Sequence, residues 1–228
     1  MNRTTLNLRL LVVASASLIG TFGCAAEGPS NPPLATTSLG LEIGVPADYS
    51  SVQAALDGAT QGDTIVVGAG TWSEDLVLPN GVTLRGAGAK TIIAGTVTIS
   101  GVDDVTVRDL TLDGASAASD ATGLRLDDAS ATVRSVTVRN FHHGILVHRT
   151  LGSVPKGTTY IDGCLVTGGS GAGLYTDGAE ELNVTNSVFT FNQEAGVRTF
   201  YGTNAPVAVV LAHNLVFANG FGFTDGAG

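Results

Sequence analysis

The sequence predicts an all-β fold: a single-stranded right-handed parallel β-helix with three short strands per coil, about eight coils and a short N-terminal capping helix. Three observations carry that prediction. A glycine followed by a short apolar strand recurs at Gly123, Gly144, Gly173, Gly196 and Gly222, at spacings of 21, 29, 23 and 26 residues. Between these glycines lie two further strand-like runs of about four residues, bounded by Gly, Asn and Asp. The chain also holds 31 glycines with no collagen period, and its 43% apolar content is enough for a real core.

The first segments precede the fold. Arg3 and Arg9 form a basic n-region, and Leu10 to Gly23 is an apolar stretch ending in small residues. Residues 1–23 therefore read as a secretory signal, too short and wrongly flanked to span a membrane. Thr21-Phe22-Gly23-Cys24 resembles a bacterial lipobox, with the glycine matching and Thr21 standing where Leu is usual. Cys24 is accordingly read as the lipidation site and membrane anchor, the plainer alternative being an ordinary signal with an incidental cysteine. Ala25 rather than Asp follows, which by resemblance to sorted lipoproteins implies the outer membrane or cell surface; plain secretion is the alternative. Residues 24–44, rich in Ala, Ser, Thr, Gly and Pro without an apolar period, read as a flexible tether.

The β-helix domain is assigned to 45–228. Ser50 to Gly58 reads as a short helix, with Ser50 and Gln53 as a capping box and Val52, Ala55, Leu56 and Ala59 on one face. Such a helix can cover the open end of a solenoid, which otherwise exposes unpaired strand edges. Asp63 to Val67, Leu76 to Leu78, Val82 to Leu84 and Thr91 to Ile93 supply the first coils, punctuated by Gly86 and Gly88. One later coil reads Gly173 to Thr176, Leu182 to Thr185 and Val188 to Phe191. The next reads Gly196 to Thr199, a turn with Gly202 and Pro206, Val207 to Ala212, and Leu215 to Ala218.

No coil buries its apolar face alone. Stacking pairs each strand with its equivalents above and below, and like side chains pile into inner columns. Leu124, Ile145, Leu174 and Val197 are expected in one such column. Asn140, Asn186, Asn192, Asn214 and Asn219 recur at strand junctions, where Asn tolerates tight turns and its amide can bond the next coil. Cys164, opening a short apolar run, reads as a small core residue. After Asp225 the chain stops without a closing helix, so this end reads as truncated or covered by an end-stacking partner.

Val52-Gln53-Ala54-Ala55, Gly62-Asp63-Thr64-Ile65, Gly70-Thr71-Trp72-Ser73-Glu74 and Val82-Thr83-Leu84-Arg85-Gly86-Ala87-Gly88 resemble the opening of the pectin lyase-like superfamily. The resemblance covers roughly residues 45–228 and implies the parallel β-helix fold. It is specific for fold and weak for activity, because the matched motifs are turns and caps. The chain departs from the family's enzymes: no Asp-Phe-Ile-Phe-Gly segment like that of pectin methylesterases occurs. Asp103-Asp104 alone does not supply the acidic series of polygalacturonases, and nothing looks like the arginine-based calcium site of pectate lyases.

The net charge is −9; removing Arg3 and Arg9 with the signal, which carries no acid, takes two positive charges from −9 and leaves −11. Such a chain repels nucleic acid phosphates, and it repels acidic polysaccharide unless arginines or a cation bridge the contact. With Leu124 and its equivalents inward, Arg125, Leu146, Tyr175, Arg198 and Thr224 form one outward row, and Asp127, His148, Asp177 and Phe200 a second. Arginine forks onto uronate carboxylates and aromatic rings stack on sugars. Arg125, Asp127, His148, Tyr175, Asp177, Arg198 and Phe200 are thus the candidate glycan face, against the plain reading that any exposed sheet face is polar.

Asp127 and Asp177 stand two coils, roughly 10 Å, apart, too far to share a small ion without His148 or water. Calcium is the one cofactor considered, and no metal centre is assigned. His142-His143 sit at a turn, and neighbours on extended chain point apart, which argues against joint metal ligation. Asp103-Asp104 and Asp127-Asp128 diverge for the same reason, and Glu180-Glu181 reads as a solvated turn. No catalytic residue is identified. The reading is a non-catalytic cell-envelope lipoprotein that binds or organises polysaccharide. The alternative is a polysaccharide lyase or glycoside hydrolase acting on acidic polysaccharide, with Arg125 or Arg198 as base or charge clamp and Asp127 and Asp177 recruiting a cation. A third reading is an incomplete gene product without independent function.

Overall fold

The computed structural model describes residues 40–150, 153–154, 156–178, 181–200 and 208–226. The signal, Cys24, most of the tether, Glu180 and the turn with Gly202 and Pro206 lie outside them. Two units divide the chain, Met1–Thr36 and Thr37–Gly228, and the second contains every described residue.

That unit is a right-handed parallel β-solenoid of about seven turns, one fewer than the sequence spacing suggests. Loops of unequal length, such as the one between His148 and Thr158, consume chain that a uniform repeat would spend on another coil. Every strand pairing is parallel. One face follows the path from Glu42–Val45 through Thr64–Val67 and Thr83–Arg85 to Ala208–Ala212. The second face branches from it in the same 13-stranded sheet. The third is a separate seven-stranded sheet, running from Leu76–Val77 to Phe221–Gly226. The strand Glu42–Val45 arises inside the segment read as tether and pairs in register with Thr64–Val67.

Corner residues explain the switch between faces. The long strands Val105–Asp113 and Ala131–Arg139 bend at Asp109 and Ser135, with φ of 57° and 53°. Gly163, Asn186 and His213 hold the same left-handed conformation one coil further each time. Asp and Asn visit this region more readily than most residues because a short polar side chain bonds locally. The recurring asparagines combine these two uses. All five join coils, and Asn140 and Asn186 take left-handed corners as well, their amides donating to Asp113 and Asp162 at 2.8 Å each. Asn192 Nδ2 donates to Asn219 Oδ1 at 3.0 Å, and Asn214 Oδ1 accepts from Ser187 N at 2.9 Å.

The interior is a set of apolar columns. Leu124, Ile145, Leu174 and Val197 are in direct register on the third face, each at most 1% exposed. Ile65, Leu84, Val107, Val133, Ile161 and Val184 do the same on the first. Burying such a side chain contributes about 2 kcal/mol, so the columns dominate the stabilising side. Cys164 is buried beside Val133, and burial pushes its thiol up to about 11, so it remains an unreactive thiol.

The helix α1, Val52–Gly58, adds Val52, Ala55 and Leu56 to the core. Its cap differs from expectation by one residue. Ser51, not Ser50, is the N-cap, its hydroxyl accepting from Ala54 N at 3.2 Å. Gln53 does not reach back to the cap; its amide nitrogen donates to Asp57, and its amide oxygen accepts from Val77 N. Glu74 takes the reciprocal role from a distant turn, accepting from Ser51 Oγ, Val52 N and Gln53 N at 2.7, 3.0 and 3.0 Å. Partial burial works to raise Glu74, and the bonds from Gln53, Ser51 and Val52 outweigh it and hold the carboxyl below its ordinary value. Glu74→Ala is expected to cost about 2 kcal/mol by leaving these donors without their acceptor. Urea unfolding measures it, and an unchanged midpoint would contradict the capping role.

Candidate functional site

The third face presents its outward side chains in two columns. Thr98, Arg125, Leu146, Tyr175, Arg198 and Thr224 are in register in one; Ser100, Asp127, His148, Asp177 and Phe200 in the other. Period-two alternation on strands whose other residues fill the core places them there. Both expected rows are therefore single columns, with Leu146 an apolar break between Arg125 and Tyr175.

Two clusters form on this face. In the first, Arg125 Nε donates to Asp127 Oδ2 at 2.5 Å, and His148 Nδ1 lies 3.3 Å from Asp127 Oδ1. The His148 contact misses hydrogen-bond geometry, so the buried Oδ1 has no hydrogen-bond partner. In the second, His143 stacks on Tyr175 with ring centroids 5.2 Å apart and an interplanar angle of 14°. The Arg198 guanidinium lies 5.5 Å from the centre of the same Tyr175 ring and pairs with Glu194. Tyr175 is thus flanked by an imidazole plane and a cation, both favourable against an aromatic ring. Asp177 and Phe200 lie in register beside Tyr175 and Arg198, one position along the outward face, and Phe200 stands directly after Asp177 in its column.

Proton placement follows from the partners. His143 Nδ1 accepts from Ala172 N at 3.0 Å, which leaves the ring proton on Nε2. Burial, then the charge of His142, holds His143 below its ordinary value, so it is a neutral donor at neutral pH. Burial, then the Asp177 carboxylate, raises Tyr175, which stays a protonated phenol. The face therefore offers two guanidiniums, a phenol and an imidazole N–H: donors and ring planes suited to binding oxygen-rich molecules.

His143 carries a pH prediction. Its folded pKa lies below the unfolded value of about 6.5, so the unfolded state binds the proton first and stability falls as pH drops below that value. Urea midpoints at about pH 7.5 and 5.5 are expected to differ more for the wild type than for His143→Gln. Equal differences would show that His143 is not buried neutral. The depressed carboxylates Asp63, Glu74, Asp113, Asp128 and Asp162 lose their contribution only in more acid solution, as pH falls below about 4.

Several weaker candidates take structural places. The His142 and His143 rings do not point apart; their centroids are 4.3 Å apart, because His142 belongs to the turn rather than to extended chain. His142 Nδ1 meets Ser170 Oγ at 3.0 Å, so the Nδ1 atoms of both rings are engaged. Asp104 and Asp128 occupy left-handed corners, and Asp103 pairs with Lys156. Glu181 accepts from Thr158 Oγ1 at 2.6 Å. Among the described residues no three metal-ligating side chains gather. Glu194 was not foreseen: it lies in a turn outside the strand repeat, and only its spacing of four from Arg198 hints at a pair.

The comparisons with known proteins agree with this architecture. The family model described as a right handed beta helix region matches residues 95–227. No curated protein matches the sequence. Among solved structures, the A-module of the mannuronan C-5 epimerase AlgE6 from Azotobacter vinelandii superposes with a TM-score of 0.62 at 20% identity, over 75% of this chain and 53% of that one. The AlgE4 A-module of the same organism gives 0.59 at 21%, over 77% and 55%. The catalytic domain of a GH87 α-1,3-glucanase in complex with tetrasaccharides gives 0.52 at 14%, over 81% and 40%. The chain thus spans about half the length of the epimerase modules, and at these identities the likeness carries the fold alone.

Proposed function

Because this chain belongs to the right-handed β-helix family, we propose that its seven-stranded face binds polysaccharide without performing chemistry on it. The observation that carries this reading is Tyr175, held between the His143 ring and the Arg198 guanidinium on an outward column shared with Arg125. A sugar ring can lie against exposed aromatic edges while guanidinium and imidazole N–H groups take its hydroxyls or carboxylates. Solved neighbours of the same fold include proteins described as acting on polysaccharide, which favours a carbohydrate ligand. The protein is taken to be exported, and anchored through a lipid on Cys24, on the strength of the signal-like pattern ahead of that residue.

The enzymatic reading places Arg125 or Arg198 as base or charge clamp and has Asp127 and Asp177 recruit a cation, with calcium the natural choice. It is disfavoured because Arg125 already holds Asp127 and Glu194 holds Arg198. The test incubates the full chain with a panel of neutral and acidic polysaccharides and measures retention together with new reducing or unsaturated ends. Retention that Tyr175→Ala and Arg198→Ala each weaken about tenfold, with no new ends, is the expected result. New ends abolished by Arg198→Ala would establish an enzyme instead.

A further inference from the structure

A second array stands on another face. Thr83-Leu84-Arg85, Thr106-Val107-Arg108 and Thr132-Val133-Arg134 repeat one Thr-apolar-Arg pattern in three successive coils of the 13-stranded sheet. Their register is direct: Thr83, Thr106 and Thr132 form one outward column and Arg85, Arg108 and Arg134 the next, with Leu84, Val107 and Val133 buried between. Stacked coils set the arginines about 5 Å apart. The side chains are 28%, 36% and 61% exposed, so the column is open to solvent and most open at Arg134.

In a chain of net charge −9, three of 11 basic residues share this column, and all three are arginine. Like charges at that spacing repel one another, a cost that nothing in the core repays. Each arginine meets one acid: Arg85 with Glu42 at 2.8 Å, Arg108 with Asp109 at 2.8 Å and Arg134 with Asp162 at 3.3 Å. Exposed pairs of this kind exchange readily, and each engages one nitrogen of a guanidinium that carries five N–H donors. Thr106, Thr132 and Ser135 line an open depression with Arg108 and Arg134, and the paired carboxylates Asp109 and Asp162 line it too, so an incoming anion must displace them from the guanidiniums.

We propose that this threonine-arginine ladder is a second binding site, taking an acidic polysaccharide that lies along the solenoid axis. The repeat suits a polymer rather than a lone anion, because equivalent donors recur once per coil. Fork-shaped guanidiniums with adjacent hydroxyls suit carboxylates on successive sugars. A nucleic acid is the other polyanion that could meet such a row; the chain's net negative charge opposes both polymers, so the DNA gel below separates them. The ladder is independent of the seven-stranded face, since no residue is shared.

Electrophoresis of the full chain through gels containing polygalacturonate, neutral dextran or single-stranded DNA tests the proposal. Polygalacturonate is expected to retard the wild type and dextran much less. The triple substitution Arg85→Gln, Arg108→Gln and Arg134→Gln is expected to weaken retardation by polygalacturonate at least about tenfold and to flatten its salt dependence. Far-UV circular dichroism checks the fold, and Arg134→Glu alone, at the most exposed position, gives a second variant with the same expected direction. Unaltered retardation in both variants, no retardation of the wild type, or DNA binding as tight as polygalacturonate binding would overturn the ladder. Binding lost in Arg198→Ala and kept in the triple variant would overturn the ladder while leaving the seven-stranded face standing; the reverse result would uphold the ladder alone.

Discussion

Replacing Leu124 by alanine is expected to lower the free energy of unfolding by about 3–4 kcal/mol. Leu124 is fully buried and paired in register with Val97 on one side and Ile145 on the other. The backbone ladders fix the coil spacing at about 4.8 Å, so neighbouring coils cannot close over the space that the lost atoms leave. The cost is then near the upper part of the range for Leu→Ala, where the site cannot collapse. Urea unfolding gives the number. Thr98→Ala, one residue along from Val97 but on the outward column, is expected to change stability by less than about 0.5 kcal/mol. A similar loss at both positions would mean that the column is not a packed interior.

Gly144→Ala carries the second large effect, about 2–3 kcal/mol, by overpacking. A Cβ on Gly144 would stand 2.2 Å from Val166 Cγ1 and 2.6 Å from the Gly173 carbonyl oxygen. The same relation recurs along the repeat. Gly123 faces the Gly144 oxygen at 2.8 Å, Gly173 the Gly196 oxygen at 2.7 Å, and Gly196 the Gly222 oxygen at 2.9 Å. Close stacking of one coil on the next, rather than a left-handed φ, is what requires glycine here. Gly222 meets nothing within 4 Å, so Gly222→Ala is expected to be near neutral and serves as the internal control. If alanine at Gly222 cost as much as alanine at Gly144, stacking would not be the cause. Thermal or urea unfolding of the two variants side by side decides it.

Much of this was legible in the order of residues. The spacing of Gly123, Gly144, Gly173, Gly196 and Gly222 located the third-face strands, and period-two alternation placed Leu124 inward and Arg125 outward. The same arithmetic set Tyr175 and Arg198 in one column and Asp177 and Phe200 in the other. These properties are local, because one strand's alternation and one coil's length determine them. The threonine-arginine repeat was not among these readings: in the sequence it is three separate tripeptides, and the register of three coils makes it a ladder.

What the tertiary structure decided involves turns and distant partners. Glu74 caps α1 from a turn more than 20 residues away, so a helix signature sought within the helix named Ser50 and Gln53 and missed it. Glu194 joins the site from a turn and His143 from the first residue of its strand, next to the turn that holds His142, where the period of a strand is not yet a guide. The pairing of His142 with His143 failed the extended-chain rule for the same reason. Strand geometry is dictated by a residue's immediate neighbours, and a sequence displays those directly. Turn geometry, capping and ring contacts depend on which coils lie above and below, and that is settled only when the coils stack.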